Sequence, residues 1–536
     1  MKKVLAIILA LTMLVGTATA FAEGDNDIAQ QLIEAAKNLP KSENLYFTNG
    51  LSITGMGIHY NNYPKGFDGC YYWPAIESLT GAHIEIDWRA ETDYITQVAD
   101  KLASQQLPDI MVAGAYGVMN LVNKGVAVAL DEYLDLMPNI VAAVGEDRMA
   151  YWRQADGHIY TIPTVVNVPG SQSVMIRQDW LDDLNMSAPE TWDQWVELWR
   201  AIKANDLNGN GDPNDEIPLA LEQGTNGERC MASLLNAFGI RASSNCQFCV
   251  LDDGTYTMVY EHPRYKEFLQ AVQDLFAEGL IDREFTTRTQ NELFTAMDSN
   301  LVGTTMTWAE RAQLSTYAIR DGGDEDALWT CVAPITGPYG DQMTQERTAV
   351  SSVWCITSAA EEAGKVEDII KLFDWNFSKE GNNLYNYGIE GVSYDIVDGE
   401  PIMRNELVKD SITGYRLVGC EYEPFGGEWQ TSAFMQALFR GARLDELDDA
   451  SASFYKGLAI INNGRFYAMP QTLGTDAYVE FRDALITNGV CALRDQTIAG
   501  QMSVDDFFAK YEELKTQGLQ RVIDEGAAAY ASILGN

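Results

Sequence analysis

The segment Asp206-Leu207-Asn208-Gly209-Asn210-Gly211-Asp212-Pro213-Asn214-Asp215-Glu216 concentrates oxygen donors in one short loop. Oxygen side chains recur at positions 1, 3 and 5, and Gly211 stands at position 6, where a sharp turn is needed. This is the ligand spacing of a calcium loop, built for a hard cation at ~2.4 Å. Position 12, normally a bidentate Glu, is Ile217 here, so Asp215 or Glu216 must substitute. Asp212 would contribute its backbone carbonyl. Four acids in one loop repel unless a cation neutralises them, which favours calcium over a plain Asn-Gly turn.

Other chemistry finds little support. The four histidines (59, 83, 158 and 262) form no H-E-x-x-H, and neither G-x-S-x-G nor a P-loop occurs. His158 sits beside the Asp156-Gly157 turn and reads as structural. No catalytic residue is assigned, although a carboxylate pair for glycoside hydrolysis is set by separation in space rather than in sequence. Cys246 and Cys249 form a C-x-x-C with no second pair and no spaced His pair, so a disulfide or buried thiols is the expectation and zinc is not.

The elements that would hold such residues read as alternating strands and helices. Ile84-Glu85-Ile86-Asp87-Trp88 alternates as a half-buried strand, Tyr94–Ser104 as an amphipathic helix, and Leu107–Val112 as a short buried strand. Gly125–Tyr133 reads as a turn, a strand and a helix start, and Asp156–Pro163 as a turn into a strand. Thr191-Trp192-Asp193-Gln194 carries capping-box chemistry, and Trp195 and Trp199 share one face of the helix that follows. Trp192, Trp195 and Trp199 are therefore core candidates. This order implies parallel α/β units in more than one lobe. Residues 23–45 read as a frayed N-terminal segment.

The 536 residues carry 77 acids against 37 Lys and Arg, a net charge of −40. Phosphate backbones need a basic face, so nucleic acid is excluded as a partner, and anionic membrane surfaces are disfavoured. The same charge lowers the expectation of a uronate-rich ligand. Lys2-Lys3, the apolar run Val4–Gly16 and small-x-small patterns at Ala18–Ala22 read as a secretory signal over residues 1–22. Its removal takes away two lysines, from −40 to −42. The first cysteine is Cys70, so a lipidated N-terminal Cys is not expected.

Six stretches together resemble the extracellular solute-binding proteins of ABC sugar importers, in the subgroup with oligosaccharide- and alginate-binding members. They are Trp73–Gly81 before the strand ending at Trp88; Ala103–Ile110 followed by Gly125–Asp131; and Asp156–Pro163 before Ile176–Leu181 and Pro189–Trp192. The loop Asp206–Pro218, Tyr387–Tyr394, and Ile498–Gly500 with Asp505–Phe507 and Tyr511 complete the set.

The resemblance implies an α/β, two-lobed, periplasmic-binding-protein-like fold with a ligand cleft between lobes joined by hinge crossings. Crossings are expected near Val165–Pro169, Val332–Pro334 and Asp374–Phe377. Lobe one is then 24–167 plus 332–375, and lobe two 168–331 plus 376–536. It further implies an exported, non-catalytic monomer that hands an oligosaccharide to ABC permease subunits, with closure driven by the ligand's preference for the closed state. The alternatives are a secreted glycoside hydrolase, or a binder of peptides or another solute on the same fold. Similar loops in the family bind calcium, giving Asp206, Asn208, Asn210, Asp212, Asp215 and Glu216 a structural role far from the cleft. Sugar C–H faces stack on aromatic rings. Trp308 matches the family's stacking Trp by position, and Trp73, Trp88, Tyr116 and Trp354 are further ligand-binding candidates; Tyr116 follows a strand C-terminus, where α/β ligands sit. Asn382–Tyr394 and Glu421–Trp429 are either cleft linings or surface turns.

Overall fold

The computed structural model describes residues 23–59, 71–113, 117–146, 149–154, 156–166, 172–222, 231–243, 246–345, 350–403, 427–429, 448–463, 466–467 and 473–533. Its strands are β1 (Leu51–His59), β2 (Ala82–Ala90), β3 (Ile110–Val112), β4 (Ile162–Val166), β5 (Gln172–Arg177), β6 (Ile217–Ala220), β7 (Phe248–Val250) and β8 (Tyr256–Met258). They continue with β9 (Val302–Trp308), β10 (Trp329–Val332), β11 (Thr344–Gln345), β12 (Val350–Ile356), β13 (Tyr394–Val397), β14 (Glu400–Met403), β15 (Gly427–Trp429) and β16 (Phe466–Tyr467).

Two sheets organise the molecule. The first has the order β15-β4-β12-β3-β1-β2, and the second β10-β5-β9-β6. β1 runs parallel to β2 and β3, as alternating strands and helices dictate, but β12 enters antiparallel to both β3 and β4. In the second sheet only β6 and β9 are parallel. The expected parallel units thus form at β1, β2 and β3, within sheets that are mixed as a whole. A strand returning from a distant part of the chain has no crossover helix to fix its direction.

Each sheet has its own core. The first contains Ile53, Ile110, Trp152, Val165, Trp354 and Phe373; the second contains Met175, Trp195, Trp199, Leu219, Phe268, Trp329 and Phe507. The chain leaves β4 at Val166 and enters the second sheet at Gln172. The return lies later than Val332–Pro334, because Ile335 is in the second core and Thr336 exchanges backbone hydrogen bonds with Glu190 and Trp192. Beyond Asp374–Phe377 the chain serves both cores: Phe377, Leu384, Tyr385 and Ile389 pack in the first, while Tyr387, at the end of the helix Lys379–Tyr387, and Tyr394 pack in the second.

Local expectations fare unevenly. The strand at Ile84–Trp88 and the helix at Tyr94–Ser104 appear as β2 and Glu91–Ser104. The Leu107–Val112 strand shrinks to β3, because Asp109 turns its carboxylate to Thr54 N–H at 2.8 Å and to Lys365 at 2.9 Å. Gly125–Tyr133 yields an isolated bridge at Ala127 and a 3-10 turn from Asp131, not a strand. The capping box at Thr191 forms, with Thr191 N–H donating to Gln194 Oε1 at 3.1 Å. Trp195 and Trp199 are fully buried, and Trp199 Nε1 donates to Thr304 Oγ1 at 2.9 Å.

The N-terminal segment is not frayed. Glu23–Ala36 is helical, Leu32 and Ala36 are buried in the first core, and Ser42 N–H donates to Leu79 O at 2.8 Å. Glu380 clamps the segment by accepting from Ser42 Oγ at 2.6 Å and Trp375 Nε1 at 2.9 Å. Among the described residues no helix is long and apolar enough to cross a membrane.

Candidate functional site

The first sheet carries an aromatic ladder near the C-terminal end of β2. Trp88 pairs in register with Gly57 of β1, and a Cβ on Gly57 would lie 2.5 Å from the Trp88 ring. Glycine there is what leaves room for the indole beside the neighbouring strand. Trp73, from the helix Tyr72–Thr80, approaches Trp88 at 6.3 Å between ring centroids, tilted by 51°. Trp354 meets Trp88 edge-on at 6.2 Å, and Tyr72 meets Trp73 at 5.4 Å. These spacings are those of favourable quadrupole contacts. Trp73 and Trp88 are half-buried, whereas Trp354 is fully buried. The expectation of a ligand-facing ring at Trp354 is corrected: its indole backs Trp88 as core.

Trp308 ends β9 on the second sheet, opposite Gln172 at the start of β5, and is half-buried. Tyr116 lies outside the described residues. The structure therefore brings Trp73, Trp88 and Trp354 together and places Trp308 on the other sheet, next to the crossing. Sequence reasoning passed over Glu222, a buried acid just beyond the C-terminal end of β6, which accepts from Gln290 Nε2 at 3.4 Å. A charged residue after an apolar strand was its only signal. Asp87 and Arg89 flank Trp88 as an exposed ion pair at 2.8 Å.

The stretch Asn382–Tyr394 packs instead of lining a surface: Tyr385, Tyr387, Ile389 and Tyr394 are buried, and Ser393 Oγ donates to Tyr387 O at 2.6 Å. Of Glu421–Trp429, only β15 is described. His158 bridges Asp131 at 3.3 Å, and Asp131 also accepts Arg153 Nη1 at 2.7 Å, a structural tie between two loops. Cys246 and Cys249 are both buried, and burial pushes the Cys249 thiol up to about 12.

The Asp206–Glu216 loop folds its donors inward. Asn208 Nδ2 and Asn210 Nδ2 both donate to the Asp215 carboxylate, at 3.1 and 2.6 Å. Gly211 N–H donates to Asp206 Oδ2 at 2.9 Å. Glu216 is 7% exposed; its Oε1 accepts Leu207 N–H at 2.8 Å, while its Oε2 is buried with no hydrogen-bond partner. An orphaned buried carboxylate oxygen is costly unless something cationic faces it. Among the described residues no three His, Cys, Asp or Glu groups are clustered as a metal cage. A hard cation also takes amide and backbone oxygens, and those are what this loop adds, so the donor set fits calcium. The Asp212 carboxylate accepts Asn214 N–H at 3.2 Å.

No family model matches the sequence. The fructooligosaccharide ABC transporter substrate-binding protein FusA of Streptococcus pneumoniae is 31% identical over 251 residues, 44% of this chain and 45% of that protein. The polygalacturonan/rhamnogalacturonan-binding protein YtcQ of Bacillus subtilis is 25% identical over 346 residues, covering 62% and 66%. The chain thus spans about half to two thirds of the length of these relatives. Among solved structures, the alginate-binding protein AlgQ2 without calcium ion superposes with a TM-score of 0.69 at 22% identity, covering 91% of this chain and 100% of that one. FusA in complex with kestose gives 0.69 at 19% identity, covering 90% and 100%, and an EF-hand mutant of FusA with fructo-nystose gives 0.68 over the same coverage. The chain is an α/β protein with the two-lobed periplasmic-binding-protein-like fold of these structures, and over part of its length its sequence is similar to sugar-binding proteins such as FusA and YtcQ.

Proposed function

We propose that the protein is an exported, non-catalytic binding protein that captures an oligosaccharide and presents it to an ABC permease. The observation that carries this reading is the half-buried Trp73–Trp88 pair on the first sheet, with Trp308 ending a strand of the second. Flat aromatic faces on two lobes suit sugar rings, which offer C–H faces to stack and hydroxyls for a few polar partners. The fold of FusA solved with kestose supports the same reading. Lobe one is the segment around the first sheet and lobe two the segment around the second. The ligand stabilises the closed arrangement by its differential affinity for it. A monomer released from its signal after residue 22 completes the proposal.

The loop at Asp206–Glu216 holds calcium in this reading, through Asp206, Asn208, Asn210, Asp215, Glu216 and the Asp212 carbonyl. A bound cation supplies charge neutralisation and pins the loop. The chain's own part is to keep Glu216 buried and Asp215 central.

A thermal-shift series with the mature chain tests both. Kestose, oligogalacturonides, alginate oligomers and short peptides are screened, with calcium or with chelator. A ligand at 100-fold its Kd adds about 2.7 kcal/mol, a clear rise in Tm. A sugar-specific shift without product formation is expected. A shift with peptides alone overturns the sugar assignment, and consumption of the sugar overturns the non-catalytic reading.

A further inference from the structure

The loop contains two Asn-Gly pairs, Asn208-Gly209 and Asn210-Gly211. At Asn-Gly the next backbone nitrogen can reach the asparagine carboxamide, because glycine places no Cβ in its way. Four further Asn-Gly pairs begin at Asn49, Asn226, Asn463 and Asn488, and the structure describes both residues of the first and last. Gly50, after Asn49, donates its N–H to Phe47 O at 2.9 Å, and Gly489, after Asn488, is buried inside a helix. In the loop, Gly211 sits at φ +90° with nothing within 4 Å of an added Cβ, and Asn210 is exposed.

Asn210 also has its reacting atoms partnered. The Gly211 N–H, the attacking group, donates to Asp206 Oδ2 at 2.9 Å. Asn210 Oδ1 accepts Asp212 N–H at 2.7 Å, which polarises the carboxamide carbon. Nucleophile and electrophile are thus each held by a group that assists: a carboxylate to take the proton and an N–H to steady the oxyanion. Asn208 shares the amide contacts, its Oδ1 accepting Asn210 N–H at 3.0 Å and its Nδ2 donating to Asp215 at 3.1 Å as Asn210 Nδ2 does at 2.6 Å, but Asn208 is half-buried and no described carboxylate accepts from Gly209 N–H.

We propose that Asn210 is a site of spontaneous deamidation gated by the cation, an inference that rests on the calcium reading above. Gly211 N attacks Asn210 Cγ; the N–Cγ bond forms and the Cγ–Nδ2 bond breaks. The N–H proton passes to Asp206 and on to the departing nitrogen, which leaves as ammonia. Water then opens the succinimide at either carbonyl, giving Asp or isoaspartate. No electrons are exchanged. A cation held by Asp206 and Asn210 would engage their oxygens, so the base and the polarised carbonyl would be withdrawn together. The isoaspartate product lengthens the backbone by one methylene between positions 5 and 6 and breaks the ligand spacing. The loop therefore records time spent without its cation.

The full chain is incubated at mildly alkaline pH with calcium or with chelator, then digested and mapped by mass spectrometry; Asn49 and Asn488 serve as internal references. Calorimetric titration of calcium alone into the same samples reports cation binding separately. The expected result is conversion at Asn210 about tenfold faster in chelator than in calcium, as for a locally opened segment, and faster than at Asn49. Asp206→Asn is expected to slow conversion in chelator. Calcium binding with equal rates in both buffers overturns the gate. Conversion at Asn210 no faster than at Asn49 overturns the site. Absence of calcium binding overturns the calcium reading and the gate with it, whatever the rate.

Discussion

Two side chains carry most of the functional argument. Trp88 is half-buried against Gly57, and Trp354 meets its ring edge-on at 6.2 Å. Trp88→Ala is expected to weaken oligosaccharide binding about tenfold or more, from lost stacking and area, while leaving the fold intact. Calorimetric titration checks this, and an unchanged Kd removes Trp88 from the site. Glu216 is the other. Its buried Oε2 has no partner, so in the calcium reading it gains most from a cation. Glu216→Gln is expected to abolish the rise in Tm that calcium produces, about 2.7 kcal/mol at 100-fold its Kd in the unmodified chain. Retention of that rise in the variant excludes Glu216 as a ligand.

Among the elements, the helix Trp192–Lys203 is secured at its start by the Thr191 box and along its face by Trp195 and Trp199. Trp199→Ala leaves a large void and deprives Thr304 Oγ1 of the indole N–H. A loss of about 3–5 kcal/mol is expected in denaturant unfolding. Near the C-terminus, Glu525 in the helix Gln520–Ile533 accepts Ala477 N–H at 2.8 Å and so caps the helix Asp476–Phe481. That hydrogen bond, joined by the Arg521 guanidinium, holds the Glu525 carboxyl below its ordinary 4.5. A depressed folded value contributes stability above the unfolded pKa, and that contribution is lost as pH falls through the folded one. Glu525→Gln is therefore expected to cost about 1 kcal/mol at neutral pH. The difference from the unmodified chain should close only below the ordinary carboxylate range. Urea melts at neutral and acid pH measure it, and a gap independent of pH contradicts the assignment.

At the scale of the molecule, two sheets with separate cores are joined by a chain that passes to the second after β4 and returns before β12; further on, Tyr387 and Tyr394 pack in the second core, while β15 lies in the first sheet. The N-terminal segment belongs to the first of these bodies. Deleting residues 23–49 removes buried Leu32 and Ala36 and takes Ser42 from Glu380. A loss of about 3 kcal/mol is expected, counted from one buried leucine and one stranded acceptor. Denaturation of the truncated chain checks it; equal stability means the helix is dispensable packing.

Much of this was written in the sequence. Periodicity placed β2, the helix after it and the helix at Thr191, because those depend on neighbours three or four residues away. The calcium-type spacing was legible for the same reason: all its donors lie within eleven residues from Asp206 to Glu216. Strand direction was not legible, since β12 reaches its partners β3 and β4 from a remote part of the chain. Nor was the state of Trp354, whose burial is set by Trp88, nor the fate of the N-terminal segment, whose polar sequence hides a pair of buried residues and a clamp at Glu380. Local chemistry fixes which atoms can bond to near neighbours. Only the tertiary structure decides which distant surfaces meet, and burial, partner and exposed face follow from that meeting.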